Sequence, residues 1–262
     1  VMFLACCFNG SLCAQSDAQI YERTCDAKTY PFSDPSPVAT PNNSYYPYFR
    51  FDGFSMQAQE KQWKMVVLEN DYVKLTVTPE IGGKIWGAID KVNNKEFVYT
   101  NGVVKFRDVA MRGPWTSGGI EFNFGIIGHA PTCSTPIDYL TKKNVDGSVS
   151  CHIFSYEWIT RTVWNVEINL PKDKAYFTTH TTWFNQSSID QPYYQWMNAG
   201  YATKTGTRFY YPGTYSIGHS GDLHPYPIDE EGRDVSWYDN NNFGASKSLH
   251  IIGDYNDYFG IY

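Results

Sequence analysis

Apolar and polar residues alternate along much of the chain after Trp63. Residues 73–78 read VKLTVT, so that every second side chain is apolar. This two-residue period is typical of a strand with one buried face. The segment PEIGG (residues 79–83) interrupts the alternation, and KIWGAID (residues 84–90) resumes it. Two strands joined by a glycine-rich bend are therefore predicted here.

The same pattern continues to the end of the chain. Asn93 and Asn94 lie in KVNNKEFVYT and predict a hairpin turn, because asparagine tolerates a positive φ. Later alternating segments are SVSCHIFSYEWI, TVWNVEINL and AYFTTHTTWFNQ, separated by the turn sequences NVDG and PKDK. We find no helical stripe of ten or more residues. Many short strands at this spacing predict one all-β domain, a sandwich or barrel, over residues 63–262.

The start of the chain has a different composition. VMFLACCFNGSLCA (residues 1–14) is apolar, uncharged and too short to span a bilayer as a helix. We interpret it as the remnant of a signal peptide cleaved after Ala14, with a lipoprotein signal at Cys6 or Cys7 as the alternative. We therefore expect an exported protein, periplasmic or at the cell surface. Residues 15–62 are expected to form an extended arm, in which the prolines of residues 30–48 exclude a helix.

Composition narrows the classes of ligand. The formal net charge of −6 gives no electrostatic reason to expect nucleic acid, whereas the aromatic share of 17% suits sugar-binding clefts as well as β-sheet surfaces. Outside the leader the cysteines are Cys25, Cys133 and Cys151, and their spacing does not suggest zinc. Cys133 and Cys151 could form a disulfide or simply be buried. No metal or cofactor is expected.

The segment RGPWTSGGIEFNFGIIGHAPT, residues 112–132, is rich in glycine and aromatic residues, and its two charged side chains are Arg112 and Glu121. Glu121 is expected on a short strand edge and His129 at a turn. Glycines let a ligand approach the backbone closely. Glu121 and His129 are therefore candidate catalytic residues and Arg112 a candidate ligand contact. The alternative is structural, with Glu121 paired to Arg112 and His129 closing a loop.

A second group of candidates lies in the proline-containing loop GHSGDLHPYPIDEEGRDVSWYD. It consists of His219, His224, Asp234 and Trp237. Carboxylates accept hydrogen bonds from sugar hydroxyls, and aromatic faces stack on sugar rings. Asp234 is a candidate catalytic carboxylate and the other three are candidate ligand contacts. An ordered loop held by Asp–Arg pairs is the alternative, and the spacing of the two histidines does not favour a metal.

The third group is aromatic. Tyr194 and Trp196 would lie on the same face of a strand, because side chains alternate between faces. Together with Trp115 they are candidates for a sugar-binding platform. Core packing is the ordinary role of such residues, so both interpretations stay open.

Three segments in this order resemble the galactose mutarotase-like superfamily. They are LENDYVKLTVTPEIGGKIWGAIDKVNNKEFVYTN, residues 112–132, and PYYQWMNAGYATKTGTRFYYP with the loop that follows it. The similarity is greatest to a bacterial branch, a domain of unknown function often fused to tetratricopeptide repeats. The resemblance implies a large antiparallel β-supersandwich that binds a carbohydrate in the cleft of a concave sheet. It also implies that the domain continues beyond Tyr262, where a repeat domain could follow.

The resemblance carries over unevenly to the chemistry. Aldose epimerases use a glutamate base and a histidine in an Asn-His motif. The corresponding segment here contains Trp196 and Asn198 but no histidine, and the family's glutamate would lie beyond this chain. We therefore expect a carbohydrate-binding domain, with Asn198 as a further ligand contact. The alternatives are a glycoside hydrolase or epimerase that uses Glu121 with Asp234 or His129, and a structural β-domain that supports repeats. Either sugar-related function requires the candidate residues to converge on one concave face.

Overall fold

The computed structural model describes residues 16–34, 52–108, 113–124, 129, 131–192, 195–211, 213–217, 221–240 and 260–261. The chain divides into two compact units, Val1–Tyr201 and Ala202–Tyr262. Across the described ranges the regular structure is almost entirely β, with two short 3-10 helices at Pro131–Ser134 and Tyr238–Asn240. The predicted all-β class is confirmed.

The described part of the first unit contains fourteen strands. They are β1 (Gln19–Tyr30), β2 (Gln59–Glu69), β3 (Val73–Thr78), β4 (Lys84–Asp90), β5 (Lys95–Val98), β6 (Val104–Lys105), β7 (Arg107–Asp108), β8 (Pro114–Trp115), β9 (Ile120–Phe124), β10 (Asp138–Lys143), β11 (Val149–Glu157), β12 (Thr162–Leu170), β13 (Thr178–Asn185) and β14 (Gln195–Ala199). The second unit contains β15 (Phe209–Tyr210), β16 (Tyr215–Ile217), β17 (Leu223–Pro225) and β18 (Gly260–Ile261).

Two sheets form the body of the first unit. The larger has eight strands in the order β14-β9-β4-β3-β2-β1-β6, with β5 paired to β4. The smaller runs β10-β11-β12-β13. Neighbouring strands are antiparallel except for β1 and β6. The smaller sheet is a meander, in which consecutive antiparallel strands need only short turns. The predicted turns NVDG and PKDK connect β10 to β11 and β12 to β13.

The main hydrophobic core lies between these two sheets. Val73, Leu75 and Val77 on β3 are buried in it, as their alternation predicts. From the smaller sheet, Trp164 stacks on Phe124 of β9 with ring centroids 4.4 Å apart and planes within 10°. Aliphatic residues of β11 and β12 complete the cluster. Two sheets that share one apolar interior make this unit a β-sandwich.

The eight-stranded sheet also has a second face, directed away from that core. A smaller cluster of Trp63, Met65, Trp86, Val104 and Phe106 lies at the β2 and β4 part of this face. Its polar atoms are satisfied locally, since the Trp63 indole donates a hydrogen bond of 2.9 Å to the Thr29 hydroxyl. This second face therefore combines aromatic and polar residues, which a sheet buried on both sides by apolar layers would not do.

The structure places part of the predicted arm in the large sheet. Residues 19–30 are extended, as expected of an arm, but they pair with β2 from Gln19–Glu69 to Thr29–Gln59 and so belong to the sheet that was expected to begin near Trp63. Most β1 side chains are exposed, so this strand lacks the alternation that identifies the others. The leader (residues 1–14) and most of residues 30–48 lie outside the described residues.

Two smaller expectations concern a turn and the cysteines. Asn94 has φ = 50° in the turn between β4 and β5, which confirms the predicted hairpin. Cys25, Cys133 and Cys151 are free thiols, and the latter two are buried. The disulfide considered between Cys133 and Cys151 is therefore not formed. Both side chains are part of the packed interior.

Candidate functional site

Glu121 is the second residue of β9 and lies on the second face of the large sheet. Ile120, Phe122 and Phe124 are in the main core, so the intervening Glu121 and Asn123 point to the opposite face. The expectation that Glu121 occupies a strand edge is wrong, because β9 pairs with β4 on one side and β14 on the other. The glutamate is only 2% exposed.

Strand β14 brings two more candidates to the same face. In the antiparallel register Glu121 lies opposite Asn198, and Asn123 lies opposite Trp196. Directly opposed residues share a face, with Cβ atoms about 4.5–5.5 Å apart. Neighbouring strands thus place a carboxylate, two amides and an indole together. This grouping follows from the register and not from proximity in sequence.

The two oxygens of the Glu121 carboxylate have different surroundings. Oε1 lies 2.8 Å from the Asn123 Nδ2, 3.0 Å from the His129 Nδ1 and 3.4 Å from the Asn198 Nδ2. Oε2 is buried and has no hydrogen-bond partner among the described residues. A buried polar atom without a partner costs roughly 1–3 kcal/mol, and native proteins contain few of them. Such an atom in a polar cluster marks the cluster as a candidate site.

His129 completes this cluster from the turn after β9. Its side chain keeps 17% exposure, and its ring lies edge-on to Trp196 at 4.8 Å and to Trp115 at 6.2 Å between centroids. When Glu121 is ionised, the His129 Nδ1 must carry the proton and donate it, which leaves Nε2 as an acceptor in the neutral ring. The Trp115 Nε1 is a buried donor without a partner among the described residues.

Lys84 and Asn123 belong to the cluster and were not identified from the sequence. The Lys84 Nζ donates hydrogen bonds to the Thr116 carbonyl at 2.7 Å and its hydroxyl at 3.1 Å, and the lysine is 1% exposed. Burial lowers the pKa of the Lys84 ammonium, and the negative charge of Glu121 opposes that shift. Burial also raises the pKa of the neighbouring Cys133 thiol well above its usual value. Asn123 could have been found, because it lies two residues from Glu121 on the same strand face.

The candidates of the second unit are held by local contacts. The Asp234 Oδ1 accepts hydrogen bonds from the Ser236 amide at 3.1 Å and its hydroxyl at 2.5 Å, while the Arg208 guanidinium lies 4.0 Å from Oδ2. Arg208 also lies 4.9 Å from the centre of the Trp237 ring. His224 contacts the Glu230 carboxylate at 3.2 Å. These contacts match the ordered-loop alternative at least as well as a ligand-binding role.

The structure therefore brings together part of the predicted set. Glu121, His129, Trp115, Trp196 and Asn198 form one cluster in the first unit. Asp234, His224 and Trp237 lie in the second unit. Arg112, Tyr194 and His219 lie outside the described residues, so the expected pairing of Arg112 with Glu121 and the full convergence on one face stay predictions.

A cavity of about 490 Å³ opens on the second face of the sheet, beside the cluster. Arg23, Thr76 and Trp86 contribute to its lining, which includes neither Glu121 nor His129. Its volume lies within the usual range for small-molecule sites. Strand β4 links the two features, since Lys84 belongs to the cluster and Trp86 to the cavity wall.

The described residues contain neither a metal-binding group of side chains nor a membrane-spanning helix. Within the described ranges no group of three or more His, Cys, Asp or Glu side chains is arranged to hold a metal ion. The same part of the chain contains no helix that is long and apolar enough to cross a bilayer.

Comparison with known families matches residues 40–262 to a model described as Domain of unknown function (DUF5107). The chain belongs to this family. Among solved structures, the DUF5107 chain resembles the crystal structure of a TPR-domain containing protein from Parabacteroides distasonis ATCC 8503, with a TM-score of 0.73 and 24% sequence identity. The match covers 84% of this chain and 38% of that one, so the likeness supports the fold, and this chain spans well under half of the other protein.

Proposed function

We propose that this DUF5107 domain binds a carbohydrate at the Glu121 cluster, as the galactose mutarotase-like domains that it resembles do in the cleft of a concave sheet. The observation that carries the proposal is the buried Oε2 of Glu121, an acceptor without a partner among the described residues. The Trp115 Nε1, next to His129, is a buried donor that also has no partner among the described residues. A hydroxyl both donates and accepts, so a polyhydroxylated ligand suits the two atoms together.

The surroundings of these atoms support a sugar over other hydroxylated ligands. Trp115 and Trp196 flank His129, and aromatic rings commonly contact the C–H faces of sugar rings. Asn123 and Asn198 add amide groups that can donate or accept hydrogen bonds. Apolar surfaces with a few well-placed polar groups are typical of small-molecule sites.

One observation favours an enzymatic variant of the same proposal. The His129 Nδ1 lies 3.0 Å from the Glu121 Oε1, an arrangement in which a carboxylate orients an imidazole and stabilises its protonated form. The Nε2 would then serve as general base or acid toward a sugar hydroxyl or ring oxygen. Asp234 is less well supported as the second group, because one of its oxygens already binds Ser236. An epimerase or hydrolase built on Glu121 and His129 is the second candidate.

The wider context of the proposal rests on sequence and family. The apolar leader supports export to the periplasm or cell surface. The similarity to a TPR-domain containing protein supports a role beside a C-terminal repeat domain. In that setting the β-sandwich would hold a sugar close to a partner protein bound by the repeat domain.

The test is a glycan-array screen followed by calorimetry on the wild type and on Glu121→Gln. The amide keeps the shape and one acceptor but loses the charge, so we expect at least a tenfold loss of affinity for the selected glycan, which corresponds to about 1.4 kcal/mol. Glu60→Gln, at an exposed position of β2, is the matched control and should bind as the wild type does. Circular dichroism verifies that each variant is folded.

Two outcomes would contradict the proposal. Unchanged affinity in Glu121→Gln would place the sugar elsewhere, and the absence of any glycan ligand for the wild type would remove the function itself. The selected glycan and its reducing-end analogues should also be incubated with the protein and followed by NMR. Turnover that disappears in both Glu121→Gln and His129→Gln would establish the enzymatic variant.

A further inference from the structure

A row of polar side chains crosses four neighbouring strands of the large sheet. Thr78 of β3 lies opposite Lys84 of β4, and Glu121 of β9 lies opposite Asn198 of β14. Strands β4 and β9 are antiparallel and pair through Ile85 and Ile120. Stepping one residue along this register sets Lys84 opposite Glu121, where Cβ atoms are about 4.5–5.5 Å apart. A lysine and a glutamate are therefore neighbours at the centre of the row.

Both members of this pair are almost completely buried. Lys84 is 1% exposed and Glu121 is 2% exposed. An isolated charge in such a place is very costly, so a buried ion needs a partner of opposite sign. The hydrogen bonds of the Lys84 ammonium go to neutral oxygens of Thr116, and they do not balance its charge. The negative charge of the Glu121 carboxylate, across the strand register, is the larger of the influences that favour the charged form of Lys84.

The other titratable groups around the pair can be named. His129 shares the Oε1 side of the carboxylate and keeps contact with solvent, and Cys133 comes from the 3-10 helix after it. Strand β14 and the segment after β8 contribute the uncharged Asn198 and Thr116. Among the described residues Lys84 is thus the buried basic side chain opposite Glu121, and His129 is the other basic side chain beside the carboxylate.

We propose that Lys84 is a positioning residue whose ammonium complements the Glu121 carboxylate within the sheet, so that the free Oε2 acts only as an acceptor. The consequence concerns the ligand. A carboxylate whose other oxygen already receives three donors takes a hydroxyl or amine hydrogen at Oε2 and rejects a carbonyl, ether or carboxylate oxygen at that position. This selectivity rests on the proposed function, whereas the charge state of Glu121 can be measured without any ligand.

The test is infrared spectroscopy at pH 7 on the wild type, Lys84→Met and Glu121→Gln. We expect Glu121 to contribute no protonated carboxyl band in the wild type. The wild-type and Glu121→Gln spectra should therefore match in that region. In Lys84→Met such a band should appear, and it should vanish in the double variant Lys84→Met/Glu121→Gln. Lys95→Met, on the exposed end of β5, is the matched control and should leave the spectrum unchanged. No new band in Lys84→Met would show that His129 supplies the charge and would overturn the proposal.

A double-mutant cycle tests the same pairing through stability, and if Lys84→Met does not fold, the test becomes whether the double variant regains the fold. Breaking a buried pair leaves one uncompensated charge, whereas removing both charges does not. The double variant should therefore be more stable in urea than Lys84→Met alone, despite carrying one more substitution. Additive losses would overturn the proposal. Either result stands whether or not a glycan binds, so failure of this inference is distinguishable from failure of the proposed function.

Discussion

His129 adopts a backbone conformation that a histidine rarely takes. Its φ is 55°, in the left-handed region where a Cβ atom is crowded. Residues held in this way cluster at functional sites, where neighbouring contacts compensate for the strain. Here the hydrogen bond to Glu121 and the edges of two indoles hold the ring in place. The strained residue also keeps contact with solvent, from which a ligand could reach it.

Substitutions of His129 separate the effect of backbone strain on stability from the effect of losing the imidazole. His129→Ala and His129→Gly both lose the imidazole, but only alanine keeps the Cβ atom that the left-handed conformation disfavours. We expect the glycine variant to be more stable than the alanine variant by about 0.5–1 kcal/mol, measured by urea denaturation. Both should bind the selected glycan less tightly than the wild type. An alanine variant as stable as the glycine variant would mean that the turn relaxes.

At the scale of the strand, alternation predicted the elements but not their partners. VKLTVT identified β3 and its buried face, because burial on one face follows directly from a two-residue period. The proximity of Glu121 and His129 was also expected, because isolated polar side chains among glycines and aromatic residues need partners. Lys84 was missed because it joins the site only through the β4–β9 register, which depends on long-range pairing that no local pattern records.

Strand β4 offers a test of how tightly the second face is packed. A Cβ atom added at Gly87 would lie 2.0 Å from the Thr100 Oγ1, whereas a Cβ atom at Gly102 would meet open space. Gly87→Ala should therefore destabilise the protein by roughly 1–3 kcal/mol, as overpacking usually does. Gly102→Ala is the control and should stay within about 0.5 kcal/mol of the wild type. Thermal unfolding measures both, and equal melting temperatures would show that Thr100 moves aside.

At the scale of the whole molecule, buried thiols make the stability depend on alkaline pH. Burial raises the pKa of Cys151 from 9.0 to about 12. Below pH 9 both the folded and the unfolded states keep this proton, so its effect is constant. Between pH 9 and 12 the unfolded state loses the proton and the folded state retains it, so stability falls as pH rises. Cys133 acts in the same direction.

The expected slope from Cys151 alone is about 1.4 kcal/mol for each pH unit above 9. Urea denaturation between pH 8 and pH 11 measures it. Cys151→Ala should flatten the decline relative to the wild type, although it lowers stability at every pH. Cys25→Ala removes a partly exposed thiol and should keep the wild-type slope. Parallel pH profiles for all three proteins would exclude ionisation of Cys151 as a cause.

Strand β9 carries two sets of residues, one on each face, that differ in how freely they can be substituted. Residues 120, 122 and 124 pack in the interior shared with the other sheet, whereas residues 121 and 123 face the proposed ligand site. Evolution can therefore redesign specificity at the second set without repacking the first. A single-residue insertion or deletion would exchange the two sets and bury the carboxylate among apolar side chains. Homologues of this chain should accordingly vary β9 by replacement and keep its length.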